Sequence, residues 1–331
     1  MRRWAWRLPG AVLGLAAWTA AALLPALGGA HAQAAWPAKP ITFIVGYPPG
    51  GGADTVARLL ADRLTGKLGQ QVVVENRSGA SGAIGVATVM RAEPDGYTFL
   101  VAASSEIVVG PAVNPALRYD PRRDLAPVGL VGEWPYLLVA TPSLPVSDMK
   151  EFVALLKANP GKYSYSSFGN HTVIHLTGEW FKTLAQVDAL HVPYRGSGAS
   201  MPDLLAGTVH FTFDSPVATM KLVQAGKLKA LAVTAPARLA QTGDIPTTAE
   251  QGYPELLSGA WIGIMANKDT PRPIVQALNA ALDEALADAA LQGVLAERGI
   301  APGGGTPQAF SERIGKELEQ WRQVAQKAGL L

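Results

Sequence analysis

The chain has 331 residues, no cysteine, 48% hydrophobic and only 16% charged residues, and a formal net charge of +2. That length builds one or two globular domains with a sizeable core, and the low charge excludes a solvated disordered body or a charge-rich coiled coil. Without cysteine there is no disulfide framework, thiolate metal site or cysteine nucleophile, and the weak positive balance forms no basic stripe for nucleic acid.

Residues 1–32 read as a secretory signal peptide. Arg2, Arg3 and Arg7 form a positive n-region, an apolar stretch runs from Leu8 to about Leu27, and Ala30-His31-Ala32 supplies an A-x-A pattern before Gln33. The stretch is nearly long enough for a transmembrane anchor. Pro9, Pro25 and several glycines interrupt it, however, and the cleavage-like tripeptide closes it, which favours cleavage near Ala32 and release into a space outside the cytoplasm. Arg2 and Arg3 also suit a twin-arginine route without deciding for it. Removal of this segment takes away three arginines and no acid, leaving 25 basic against 26 acidic side chains and a net charge of −1. No later stretch offers about 18 uninterrupted apolar residues.

Strand-like and helix-like patterns then alternate. Ile41 to Val45 is a β-rich apolar run, Gly46 to Gly52 is glycine-rich, and Val56, Leu59, Leu60, Leu64 and Leu68 share one helical face that Gly69 ends. Val72 to Val74 begins a second strand, Ser81 opens a second helix to about Ala92, Pro94-Asp95-Gly96 turns the chain, and Tyr97 to Ala102 is a third strand. From Ala126 to Ala140 the chain is extended and apolar, with Pro127, Pro135 and Pro142 limiting helix. A second series follows: helix Asp148 to Ala158, strand Tyr163 to Ser167, helix Thr172 to Leu184, strand Ala189 to Tyr194, and strands at Val209 to Phe213 and Leu228 to Thr234 around a short helix near Ala218 to Ala225. Trp261 to Ala266 is extended, and two helices finish the chain, the last with Phe310, Ile314, Leu318, Trp321 and Val324 at helical spacing. These βα units predict an α/β fold of two lobes, each a mostly parallel sheet flanked by helices, with a ligand cleft between them. The expected division is 33–135 with 257–331 as a discontinuous first lobe and 136–256 as the second.

Two glycine- and hydroxyl-rich loops stand at strand-to-helix junctions. In the first, Tyr47, Pro48, Pro49, Gly50, Gly51 and Gly52 precede a helix whose N-terminal N–H groups suit a carboxylate. No Gly-Lys-Ser or Gly-Lys-Thr follows, and the spacing is not G-x-G-x-x-G, so neither a phosphate loop nor a dinucleotide fingerprint is present; a tight turn without ligand is the plain alternative. Asp54 reads as a first-turn residue, compatible with an anion only if its side chain points away. In the second, Ser167, Asn170, His171 and Thr172 either close over the far end of the same anion or cap the helix. Further polar positions are Ser104 with Ser105, Arg195, whose guanidinium could fork onto a carboxylate, and Asp214, which could accept a ligand amine or hydroxyl or cap the following helix.

His171, His175 and Glu179 lie four apart and invite a metal hypothesis, but Thr172 stands where the H-E-x-x-H motif needs its glutamate. There is no G-x-S-x-G elbow for a hydrolase.

The order of Trp36-Pro37-Ala38-Lys39-Pro40-Ile41, GYPPGGGADTVAR (46 to 58), VVVENRSGASGAIG (72 to 85), PDGYT (94 to 98), KANPGKYSYSSFG (157 to 169), VPYRG (192 to 196), AGKLKALAVT (225 to 234) and Trp261-Ile262-Gly263 resembles the Bug receptors, solute-binding proteins of tripartite tricarboxylate transporters. The resemblance spans the mature chain. It implies a periplasmic binding protein fold of type II, no catalysis and no cofactor, and a monomer that closes on a small organic carboxylate and delivers it to membrane transporter subunits. By the same resemblance Tyr47 through Gly52, supported by the Ala80-Ser81 turn, hold one carboxylate, while Ser167, Asn170, His171 and Thr172 hold the other end. His210 stands where the family commonly has aspartate, and Asn267-Lys268 replaces a proline-containing segment end. His171 beside Phe168 points to an aromatic acid among the ligand choices. A sensory receptor feeding a signalling partner uses the same closed form, and an exported hydrolase or metalloenzyme built on His171, His175 and Glu179 is the competing class.

Overall fold

The computed structural model describes residues 36–331, so the export segment 1–32 lies outside the described residues. In chain order the strands are β1 (Ile41–Val45), β2 (Val72–Asn76), β3 (Thr98–Ala103), β4 (Leu125–Pro135), β5 (Leu137–Ala140), β6 (Ser164–Ser167), β7 (Leu190–Pro193), β8 (Phe211–Asp214), β9 (Lys229–Val233), β10 (Gly259–Asn267) and β11 (Ala301–Pro302). They form two sheets, of order β11-β4-β10-β3-β1-β2 and β7-β6-β8-β5-β9.

β1 buries Ile41, Phe43 and Val45 at 0% exposure on one face and Ile44 at 2% on the other, which is why it reads as a short apolar run around Thr42. It pairs in parallel with β2 and β3, Ile41 opposite Val72 and Phe43 opposite Phe99. β3 then meets β10 antiparallel, and β10 meets β4 antiparallel. The second sheet repeats this plan: β6 is parallel to β7 and β8, and β5 is antiparallel to β8 and β9. The α/β class holds, but the sheets are mixed where mostly parallel ones were expected. The long extended segments, not further βα units, supply the antiparallel strands.

The apolar stretch 126–140 is two strands in two sheets, separated by Tyr136 alone. The chain returns at Ser258, and the two crossings are tied together: Tyr136 N–H donates to Ser258 O at 3.3 Å and to Thr234 Oγ1 at 3.0 Å, and Ser258 N–H donates to Thr234 O at 3.2 Å. The Thr177 and Ser258 hydroxyls bond at 2.5 Å beneath them.

Helices cover both sheets. Gly52–Leu68 follows β1 and ends at Gly69, whose φ of 66° gives a left-handed cap. Ser81 does not open the second helix: Ala80 and Ser81 hold φ of 48° and 52° in a tight turn, and the helix is Ala83–Arg91. The segment Ser197–Ala206, to which the sequence pattern assigns no element, is a helix with Pro202 inside it. Three helices, not two, finish the chain, because Asp288 caps a new one: Arg272–Leu286, Ala289–Glu297 and Pro307–Lys327. The last buries the anticipated Phe310, Ile314, Leu318, Trp321 and Val324; Phe310 meets Trp261 at 5.1 Å and Trp321 meets Trp180 at 6.1 Å between ring centroids.

Candidate functional site

The first loop leaves β1 at Val45 and enters the helix at Gly52. Pro48 to Gly52 are exposed, and the helix has no side-chain cap, so the N–H groups of Gly52, Ala53 and Asp54 precede its first intrahelical bond, from Thr55 N–H to Gly51 O. Asp54 is turned inward, 3% exposed. It accepts Gly50 N–H at 2.9 Å, Arg58 Nη2 at 2.8 Å and Asn76 Nδ2 at 2.9 Å, while Asn76 also donates to Tyr47 O at 3.0 Å. Burial alone would raise the Asp54 carboxyl, but Arg58, Gly50 and Asn76 outweigh it and hold the group below the ordinary aspartate value. Its charge is therefore spent on fixing the loop, not presented at the exposed N–H groups.

Behind the loop, the half-buried Tyr47 donates its hydroxyl to Glu106 Oε2 at 2.6 Å and also lies 3.3 Å from Ser81 O. Glu106 sits in a π-helical turn, Ser105–Val109, and its carboxyl is raised to about 7 by burial, against the lowering effect of the Tyr47 and Ala103 hydrogen bonds. Burial first, then the Glu106 charge, pushes the Tyr47 hydroxyl upward, so it stays protonated.

The second loop joins β6 to the helix Val173–Ala185. Thr172 is the cap: its Oγ1 accepts His175 N–H at 3.4 Å and donates to Gly169 O at 2.8 Å. Ser167 is fully buried, exchanging hydrogen bonds with Gly169 and lying 2.6 Å from His191 Nε2. His171 holds a positive φ of 60° and donates its N–H to His175 Nδ1 at 3.3 Å; Asn170 is exposed.

The two loops meet. Val173 N–H donates to Ser105 Oγ at 3.4 Å, and a Cβ on Gly169 would stand 3.8 Å from Ser81 Oγ and 3.9 Å from Tyr194 O. Tyr47, Ser81, Ser105, Gly169 and Thr172 thus belong to one neighbourhood. The other candidates have partners of their own or face solvent. Ser104 is 1% exposed and accepts Trp261 N–H at 3.4 Å, a strut to β10. Asp214, at the end of β8, accepts Ser197 Oγ at 2.5 Å and Ser215 N–H at 2.6 Å, and burial raises its carboxyl to about 6. Arg195 is exposed. A cavity of about 390 Å³ lies at the strand crossings beside Trp134, Ser258 and Arg313, and its lining includes none of the candidate residues.

The metal grouping does not assemble: His175 Nδ1 takes the His171 N–H, Glu179 takes the Tyr165 hydroxyl at 2.7 Å and Lys182 at 3.0 Å, and no metal-competent cluster of three occurs among the described residues. Sequence reasoning missed Glu106 and Tyr119, whose hydroxyl reaches Glu106 O at 2.5 Å. A lone acid inside the apolar run 99–113 was the available signal.

The family described as Tripartite tricarboxylate transporter family receptor matches residues 56–330. The chain belongs to this family. BugT of Bordetella pertussis is 36% identical over 295 residues, 89% of this chain and 90% of that protein. Among solved structures, Rpa4515 of R. palustris with adipate is 35% identical at a TM-score of 0.83, covering 89% of this chain and 98% of the other. The periplasmic binding protein BugD is 34% identical at 0.81, covering 89% and 99%, and MatC of Rhodopseudomonas palustris with bound malate is 32% identical at 0.80, covering 87% and 99%. This tripartite-transporter receptor is therefore a solute-binding protein, not an enzyme. No helix among its described residues is long and apolar enough to cross a membrane.

Proposed function

We propose that this receptor works in the periplasm as a monomer of two lobes, 33–135 with 257–331 and 136–256, that closes on a small organic carboxylate and delivers it to membrane transporter subunits. The observation that carries the reading is the junction itself: the exposed N-terminus of helix Gly52–Leu68 and the Thr172-capped N-terminus of Val173–Ala185 belong to loops that meet through Ser105, Ser81 and Gly169. Helix N-termini favour anions, and a mature chain close to neutrality must attract one locally.

In this reading Tyr47 to Gly52, Ser81 and Ser105 hold one carboxylate, and Asn170, His171 and Thr172 the other end. The buried Ser104, Ser167 and Asp214 shape the walls, and the exposed Arg195 stands ready to reach the ligand on closure. The malate and adipate bound by its relatives make dicarboxylates the first class to try. A ligand that touches both lobes favours the closed state by its differential affinity.

A thermal-shift panel of mono-, di- and tricarboxylates, aliphatic and aromatic, tests this. Ligand bound only by the folded state adds about 2.7 kcal/mol at a hundredfold excess over Kd. An upward shift with a subset of acids is expected; no shift with any would sink the proposal.

A further inference from the structure

Glu106 lies behind the first loop, 1% exposed, and among the described residues no basic side chain bonds to it. Its Oε2 accepts the Tyr47 hydroxyl and its Oε1 accepts Ala103 N–H, each at 2.6 Å, and a Cβ on Gly82 would fall 2.9 Å from its Cδ. Its carboxylate reaches the junction through the Tyr47 hydroxyl, which also lies 3.3 Å from Ser81 O, and Ser81 faces Gly169.

An arriving carboxylate would place a second negative charge in the region that holds this unpaired one. Like charges in a poorly solvated site disfavour joint ionisation, and the pair responds by binding a proton. Resting on the receptor reading above, we propose that Glu106 is a proton-carrying positioning residue: carboxylate capture draws a proton from solvent onto Glu106. The protonated carboxyl then donates to the Tyr47 oxygen, and the Tyr47 proton turns toward Ser81 O and the ligand. Burial already raises the free protein's Glu106 carboxyl to about 7, so the proton is accessible near neutrality.

The groups around Glu106 leave few other carriers. Tyr47 and Tyr119 are both pushed upward by burial and stay neutral. β3 contributes no titratable side chain, and Arg313 of the last helix is engaged by Glu133 and Glu317. On the side of the second loop, His175 is lowered to about 4 and His191 is lowered as well, both by burial, while Asp214, raised to about 6 by burial, is the competing proton carrier.

The test is calorimetry on the full mature chain with adipate, or malate if it gives the larger thermal shift, between pH 6.5 and 8.5 in buffers of different ionisation enthalpy. Wild type should take up a proton on binding above pH 7, and its affinity should weaken by up to about tenfold per pH unit. Glu106→Gln should bind with no uptake and a flat profile, whereas a proton taken up by Asp214 would leave the slope intact in Glu106→Gln. Binding by wild type without proton uptake overturns this inference alone, as does a slope that survives in Glu106→Gln. Absence of carboxylate binding at every pH overturns the receptor reading as well. The wild-type buffer series keeps the inference falsifiable even if Glu106→Gln does not fold, because binding without uptake overturns it.

Discussion

Gly46 and Gly85 stand backbone to backbone: a Cβ on Gly85 would lie 2.8 Å from Gly46 Cα and 3.1 Å from its nitrogen. This contact seats helix Ala83–Arg91 against the end of β1, where the loop Tyr47 to Gly52 begins. Neither backbone can yield as a flexible side chain would. Gly85→Ala should therefore cost about 1–3 kcal/mol of unfolding free energy in urea. Gly66, in the preceding helix with nothing within 4 Å of its Cβ position, should instead gain about 0.5–1 kcal/mol on replacement by alanine. Equal effects at the two sites would refute the packing argument.

Gly52 separates ligand binding from folding. A Cβ there meets nothing within 4 Å, and the residue is the first of its helix, so Gly52→Leu should leave the unfolding free energy in urea within about 0.5 kcal/mol of wild type. The same side chain would fill the space above the free N–H groups. Loss of at least tenfold in carboxylate affinity by calorimetry is expected, and unaltered affinity would move the site elsewhere.

Thr172 closes the second loop twice, capping His175 N–H and donating to Gly169 O. Thr172→Ala should cost about 0.5–2 kcal/mol in denaturant unfolding, and Thr172→Ser, which keeps both hydrogen bonds, should recover most of it. A serine variant as unstable as alanine would show that the methyl packing, not the cap, matters.

How much of this was legible depended on what each residue's physics left in the pattern. Ile41 to Val45 and the face led by Val56 have the expected bounds because burial on both sides of a strand, or on one stripe of a helix, imposes periodicity on the sequence. The helix Ser197–Ala206 escaped because Ser197, Gly198, Ser200 and Pro202 carry loop composition, and tertiary contacts override it. The left-handed Ala80 and Ser81 escaped because no glycine marks those two positions. At the site, both loops were legible through their glycines and cap residues. The roles of Asp54 and Glu106 were not, since their partners Asn76 and Tyr47 lie 22 and 59 residues away in sequence.

Asp54 and Glu106 make stability depend on pH in opposite senses. The folded-state value of Asp54 is depressed below its ordinary 3.8, so its contribution is present above that value and is lost as pH falls through the lower folded one. Glu106 is raised from 4.5 to about 7, so the folded state favours its protonated form: this stabilisation is complete below about 4.5 and is lost as pH rises toward 7, on the order of 3 kcal/mol. His175, lowered to about 4 by burial, opposes Glu106 in that window, because charging it on acidification favours the unfolded chain. The net curve of wild type therefore mixes both, and the difference from a variant isolates one. Urea unfolding of ligand-free protein from pH 4.5 to 7.5 should show Glu106→Gln gaining on wild type steadily as pH rises, since the amide has no charge to bury. Below pH 4, Asp54→Asn should draw level with wild type, having lost its disadvantage as the native aspartate protonates. A Glu106→Gln curve parallel to wild type across the upper window would mean that the buried carboxyl titrates at its ordinary value, and would remove the physical basis for its part in ligand capture.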